Sequence, residues 1–272
     1  MKTKDTKLYT SAESYFQGPD GMKNEVAMWF VAGGLLLQHL AKKSGHRPFG
    51  GLNSSDGEIE NSRLSPVEVL DLCSGPGNFV NHLQFVFPKL KAFCVDANKI
   101  FIESGENIFP NWVWKHSNAV TIDLKRKFEV ITMSSAYHHI SDEYKCAFLK
   151  NAKKHLANDG IIIVCENFLP DYLNVKERAA SVEKYYLELK KYYNQGNATP
   201  EALKSIEEVY QLEKFGVEEH KVSYRLFTLM LEKVGLLIDQ DVIVWQPDSL
   251  RTENAGSHVL VLKKMPYKNT FL

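Results

Sequence analysis

The sequence predicts an α/β domain built on a mostly parallel sheet, and three observations carry that reading. Short apolar runs alternate with helical patterns through the middle of the chain, as strands and covering helices do when a parallel sheet is buried on both faces. The stretch Val69–Phe79 runs from an apolar strand through a glycine-bearing turn into a helix. A length of 272 residues, with 44% hydrophobic and 24% charged residues, suits one large domain or two small ones and excludes intrinsic disorder.

The elements follow in order. Val26, Phe30, Leu36, Leu37 and Leu40 recur at helical spacing between Lys23 and Lys43, in a helix weakened by Gly33-Gly34. Gly45 to Ser65 is rich in Gly, Ser and Asn and reads as a loop. Val67–Leu72, Ala92–Val95, Trp112–Lys115, Phe128–Met133 and Ile161–Cys165 are strand candidates. Asn78–Phe87 and Asp142–Leu156 read as helices, the second with Ser141 as N-cap and Asn158-Asp159-Gly160 as its exit turn. After Asn167 the alternation breaks. Val175, Ala179, Val182, Tyr186, Leu189 and Tyr193 keep helical spacing, and Thr199-Pro200 opens a second helix as an N-cap and N1 pair. A third runs from Ser223 to Val234 and is closed by Gly235. Strands Ile238–Trp245 and His258–Leu262 complete the pattern. The chain divides into an N-terminal helical lid and loop (1–64) and a domain at 65–272, with a helical insertion at about 168–219.

Charge and composition narrow the function. Thirty-three basic residues balance thirty-three acidic ones, and the longest basic run is Lys125-Arg126-Lys127, which argues against a nucleic-acid partner. Cys73, Cys94, Cys146 and Cys165 lie far apart, with no CxxC and no paired histidines at zinc-ligand spacing, so the expectation is reduced thiols, a cytoplasmic setting and no metal. The longest apolar run, Val26–Leu37, is well short of the roughly 20 residues that span a bilayer, and it lacks the flanks of a signal peptide.

The turn Asp71-Leu72-Cys73-Ser74-Gly75-Pro76-Gly77 follows a strand end, where open α/β sheets bind ligands. Gly75 and Gly77 let a ligand approach the backbone. A dinucleotide site would need GxGxxG, but Val80 stands at the third glycine position and Asp71 would repel phosphate. Asp71 suits a cationic group such as an amine or sulfonium.

These residues resemble the first motif of the class I S-adenosylmethionine-dependent methyltransferases, with Cys73 in place of the first glycine. Phe93-Cys94-Val95-Asp96 is similar to the second motif, followed by Ala97. His116-Ser117-Asn118-Ala119 falls where the family often has Gly-Asp-Ala, and Ile131–Ile140, containing Ser134, Tyr137, His138 and His139, resembles the fourth motif. Asn158-Asp159-Gly160 is similar to the turn into the fifth strand. The resemblance covers about Ser65 to Lys264. It implies a three-layer, doubly wound, seven-stranded, mostly parallel Rossmann-like methyltransferase sheet with an antiparallel last strand and a helical cap insertion. It also implies S-adenosyl-L-methionine as cofactor, held through Asp71, Cys73, Gly75, Gly77, the ribose-binding Asp96, Ala97, Ser117, Asn118, Ala119 and Ser134. Tyr15, in an aromatic lead-in, is the lid residue expected over the cofactor.

The acceptor implied is a small molecule methylated on oxygen or nitrogen. His138, ahead of His139, is the expected proton acceptor, and a carboxylate or phenolate acceptor would need none. Tyr137, Glu166, Tyr186, Tyr193 and His220 are the expected substrate contacts, with helix packing the alternative for the tyrosines and a surface cap for His220. Other S-adenosylmethionine-dependent chemistry and a sensor or partner-binding role stay open.

Overall fold

The computed structural model describes residues 23–45, 64–196, 198–217 and 219–266, so Tyr15 and most of the loop before Ser65 lie outside the described residues. Helix α1 (Lys23–Lys43) is followed by β1 (Val67–Leu72), α2 (Asn78–Val86), β2 (Leu90–Asp96), α3 (Lys99–Ile108), β3 (Val113–His116) and β4 (Phe128–Ser134). Then come α4 (Lys145–His155), β5 (Leu156–Phe168), α5 (Val175–Gln195), α6 (Pro200–Phe215), α7 (Tyr224–Val234), β6 (Leu236–Trp245) and β7 (Gly256–Lys264). The sheet has seven strands in the order β3-β2-β1-β4-β5-β7-β6. Neighbours from β3 to β5 are parallel, and β7 runs antiparallel to both β5 and β6.

Successive strand residues feed opposite faces, as the period of two requires. Leu70, Leu72, Ile131 and Met133 pack with Phe148 and Leu149 of α4 and Phe227 and Leu231 of α7. Val69, Ala92, Cys94 and Val130 pack on the other face with Met28 and Leu36 of α1 and Leu83 of α2. That gives the three layers. Chain order reverses between β1 and β4, and the crevice at their carboxyl ends is the topological switch point where this architecture places ligands.

Three local expectations need correction. The helix expected from Asp142 begins only at Lys145, and its N-cap is Tyr144, which makes no side-chain cap; Ser141 contributes its carbonyl to the preceding turn instead. Asn158-Asp159-Gly160 is no turn. Helix α4 passes directly into β5, a strand of 13 residues that contains all three. Gly160 belongs there because a Cβ would lie 2.6 Å from the Glu129 carbonyl oxygen of the neighbouring strand. The sequence reading also passed over α3, a ten-residue amphipathic helix whose Asn98 cap accepts from the Ile100 N–H.

Helices α5 and α6 form an antiparallel pair inserted between β5 and α7, with their own core of Tyr172, Val182, Tyr185, Tyr186, Tyr193 and Ile206. Thr199 and Ser223 cap α6 and α7 through their side chains, as expected. No helix among the described residues is long and apolar enough to cross a membrane.

Candidate active site

The carboxyl ends of β1, β2, β4 and β5 gather the polar residues. The turn after β1 is fixed by two bonds to β2: the Ser74 N–H donates to Val95 O at 3.0 Å, and the Gly75 N–H to Asp96 Oδ2 at 2.8 Å. The second oxygen of Asp96 accepts from the Asn98 N–H at 2.7 Å. Burial raises the Asp96 pKa, and these two backbone donors oppose the shift. Each carboxylate oxygen keeps a lone pair.

Cys73, at the first-glycine position of the resembled motif, adopts φ +59°, and Gly75 and Gly77 follow at +54° and +99°. A cysteine held left-handed costs about 1–2 kcal/mol that glycine would not. Burial together with Asp96 and Asp71 pushes its thiol well above the ordinary range, which removes it as a nucleophile. A Cβ on Gly77 would lie 2.8 Å from the Trp114 ring and 2.9 Å from Trp112, so tryptophan packing by itself requires glycine here.

Asp71 is buried beneath the turn and accepts from Thr132 Oγ at 2.6 Å. Burial pushes its carboxyl up to about 7, against the lowering effect of the Thr132 bond. Beyond β2, Ala97 is exposed and its carbonyl meets His116 Nε2 at 3.0 Å, while the Ser117 N–H donates to Asp96 O at 2.9 Å. The amide oxygen of Asn118 is partly used, accepting from the Val120 N–H at 2.8 Å.

Several expected contacts sit elsewhere. Ala119 is a buried core residue whose carbonyl accepts from Asn151. Ser134 Oγ accepts from Trp29 Nε1 of α1 at 2.9 Å, which ties α1 to the end of β4. Tyr137 is 1% exposed, with its ring edge-on to Phe227 and its hydroxyl on Met230 Sδ, so it is core and not a substrate contact. Tyr186 and Tyr193 pack inside the α5–α6 pair and are buried there, where Tyr186 meets Lys221. His220 is half-buried, and its N–H donates to His138 O at 2.7 Å.

The structure brings His138, His139 and Glu166 together. His138 is buried on a single 3-10 turn (Tyr137–His139) after β4. Its Nδ1 lies 2.7 Å from Glu166 Oε1, and its N–H donates to Glu166 Oε2 at 3.2 Å. The preceding Ser135 takes a left-handed φ of +48° and bonds the Glu25 carboxyl of α1. Lys145, fully buried, closes the turn from below by donating to Tyr137 O at 2.9 Å and Ile140 O at 2.6 Å. Burial pulls that amine down to about 8.

The sequence reading missed Glu25, Trp29, Thr132, Lys145, Glu219 and Lys221. Glu219 Oε2 is 2.6 Å from Lys221 Nζ, which also reaches Glu213 at 3.3 Å, and Glu213 pairs with Arg178. These ions join the base of the inserted helices to the histidine turn. Lys221 leads the charges that hold the Glu219 carboxyl down to about 2 despite burial, and burial leads the causes that push His138 well below its ordinary range. Glu166 thus engages Nδ1, and Nε2 of the imidazole faces Glu219 at 3.7 Å.

A glycine-bearing turn at the switch point, an acid ending β2 and a histidine turn ending β4 thus lie together at the carboxyl edge of the sheet. The family described as a methyltransferase domain matches residues 37–210, well over half of the chain, and this protein belongs to it. Among solved structures, PKMT2 from Rickettsia typhi is similar at TM-score 0.53 and 18% identity, over 88% of this chain and 53% of that one. An S-adenosylmethionine-dependent methyltransferase from Clostridium acetobutylicum ATCC 824 aligns at TM-score 0.50 and 14% identity, over 76% and 87%. A protein described as a pericyclic reaction enzyme aligns at TM-score 0.53 and 11% identity, over 84% and 47%. This chain thus spans about half the length of PKMT2, and at these identities the likeness is one of fold. No curated protein matches by sequence.

Proposed function

We propose that this chain transfers the methyl group of S-adenosyl-L-methionine to an oxygen or nitrogen of a small organic acceptor. The observation that carries it is Asp96, a buried carboxylate anchored by two backbone donors with a spare lone pair on each oxygen, where two ribose hydroxyls can donate. Membership of the methyltransferase family supports the cofactor, as do neighbours of this fold solved with it or its product, PKMT2 with AdoHcy and LepI with SAM. Asp71 fits the same ligand, since a group near neutrality in the free protein gains most from a cation placed beside it.

The cofactor supplies a methyl group already activated on a sulfonium, so the chain's task is alignment, exclusion of water and care of one proton. His138 offers a neutral Nε2 to the acceptor's proton, and Glu166 is its positioning residue, holding the tautomer through Nδ1. Helix α1, bound to Ser134 through Trp29 and to Ser135 through Glu25, closes one side of the crevice. The α5–α6 pair serves as the cap, residues 1–64 with Tyr15 as the lid, and the setting is cytoplasmic. Incubation with methyl-labelled S-adenosylmethionine and small-molecule extract, followed by mass analysis, tests this. Label in an acceptor with equimolar S-adenosylhomocysteine is expected; cofactor binding without product in any extract would leave a sensor.

A further inference from the structure

An imidazole nitrogen and a carboxylate oxygen face each other across a buried gap beside the histidine turn. Glu166 engages His138 Nδ1 at 2.7 Å, and Nε2 of the same ring lies 3.7 Å from Glu219 Oε2. The other oxygen of Glu219 lies 3.8 Å from His139 Nδ1, and the two rings stand 4.2 Å apart. These separations are too long for hydrogen bonds. They are close to the spacing of atoms that share one ion: bonds of about 2.0–2.1 Å at the tetrahedral angle put neighbouring ligand atoms about 3.3 Å apart. One ligand atom from each of His138, His139 and Glu219 falls within 4.8 Å of the others.

We propose that His138, His139 and Glu219 bind a divalent transition-metal ion of the zinc class, with a fourth position open to the crevice. Two imidazoles and one carboxylate form a borderline-soft set, which selects zinc-like ions over magnesium or calcium. The surrounding contacts are those a metal histidine needs. Glu166 accepts from His138 Nδ1 and leaves Nε2 to the ion, and Lys221 holds Glu219 from outside at 2.6 Å. His139 is 45% exposed at its side chain, so the site borders solvent. The proposal departs from the expectation that no metal binds, because its third ligand comes from a segment 80 residues downstream, beyond any spacing rule.

The role of the ion rests on the methyl-transfer reading, although its binding does not. At the open position the acceptor's oxygen or nitrogen would coordinate and lose its proton more readily. His138 then serves as ligand, and a metal-bound Nε2 takes up no proton.

The test uses the full chain, stripped with a chelator and titrated with Co2+ as the probe. Visible d–d absorption saturating at about one ion per chain, and displacement by Zn2+, are expected. His139→Gln, on a half-exposed side chain, should weaken binding about 10–100-fold with the circular dichroism unchanged, and Glu166→Gln should weaken it through His138. His116→Gln, on an exposed strand end, should bind as the native chain does. Absence of a cobalt spectrum at millimolar Co2+, or an identical spectrum and affinity in His139→Gln, overturns the site. Cofactor affinity and S-adenosylhomocysteine release, measured on both the stripped and the metal-loaded protein, report separately on methyl transfer. Turnover without metal binding sinks this proposal alone, and metal binding without turnover sinks the other.

Discussion

Replacing Asp96 separates the two duties its carboxylate performs. Toward the protein it accepts the Gly75 and Asn98 N–H groups at 2.8 and 2.7 Å, and so fixes the turn after β1. In the proposed cofactor site each oxygen offers one lone pair to a ribose hydroxyl. In Asp96→Ala both backbone donors lose their partner in a buried turn, at about 1–3 kcal/mol each for an unsatisfied group. Two lost ribose bonds to a charged acceptor cost binding on the order of 2–4 kcal/mol, about 30- to 900-fold in affinity. Asp96→Asn keeps the shape and one acceptor oxygen but turns an amide N–H toward one of the backbone donors. It should lose about half of each quantity. Calorimetric titration with S-adenosylhomocysteine, beside urea unfolding of the same samples, reads both. A folded Asp96→Ala chain that binds with native affinity would falsify the assignment of the ribose site to β2.

Asp71, with its carboxyl near 7, should make cofactor affinity rise about tenfold between pH 6 and pH 8, as the ionised form that attracts a cation becomes populated, and Asp71→Asn should flatten that rise in a pH series of titrations. The same raised value makes the folded chain hold a proton that the unfolded chain releases, so this group's contribution to stability falls as pH rises from about 4 to about 7. Gly77→Ala combines a left-handed φ with a Cβ 2.8 Å from Trp114, and should cost about 1–3 kcal/mol in urea unfolding; an unchanged midpoint would remove the packing account. Lys145→Met deprives the carbonyls of Tyr137 and Ile140 of a buried donor and should lower stability by about 2–4 kcal/mol by thermal melting.

The architecture was legible because its strands are short apolar runs and its caps are unambiguous: Thr199-Pro200, Ser223 and Gly235 mark helix ends where the structure has them. Helix α3 was not legible, since ten amphipathic residues containing Gly105 give a weak signal beside stronger neighbours. At the site, strand-end acids and the glycine turn are local signatures, readable in a line. The partners that decide their chemistry are not local. Thr132 is 61 residues from Asp71, Glu166 is 28 from His138, and Trp29 reaches Ser134 across 105. Tyr137 misled because a residue beside a strand end is equally able to point into the core, and sequence position does not fix that choice.

The chain of ions from Arg178 through Glu213 and Lys221 to Glu219 bears on any attempt to exchange substrate preference between relatives. Helices α5 and α6 look like a detachable module, because they have their own tyrosine core and connect through short segments. Yet the carboxylate facing His138 takes its orientation from a lysine that rests on α6 and an arginine that rests on α5. A graft cut at the helix ends would carry away Arg178 and Glu213 and leave Lys221 and Glu219 behind, stranding buried charge on both sides of the seam. A chimera that keeps its activity must therefore move residues 175–221 as one block.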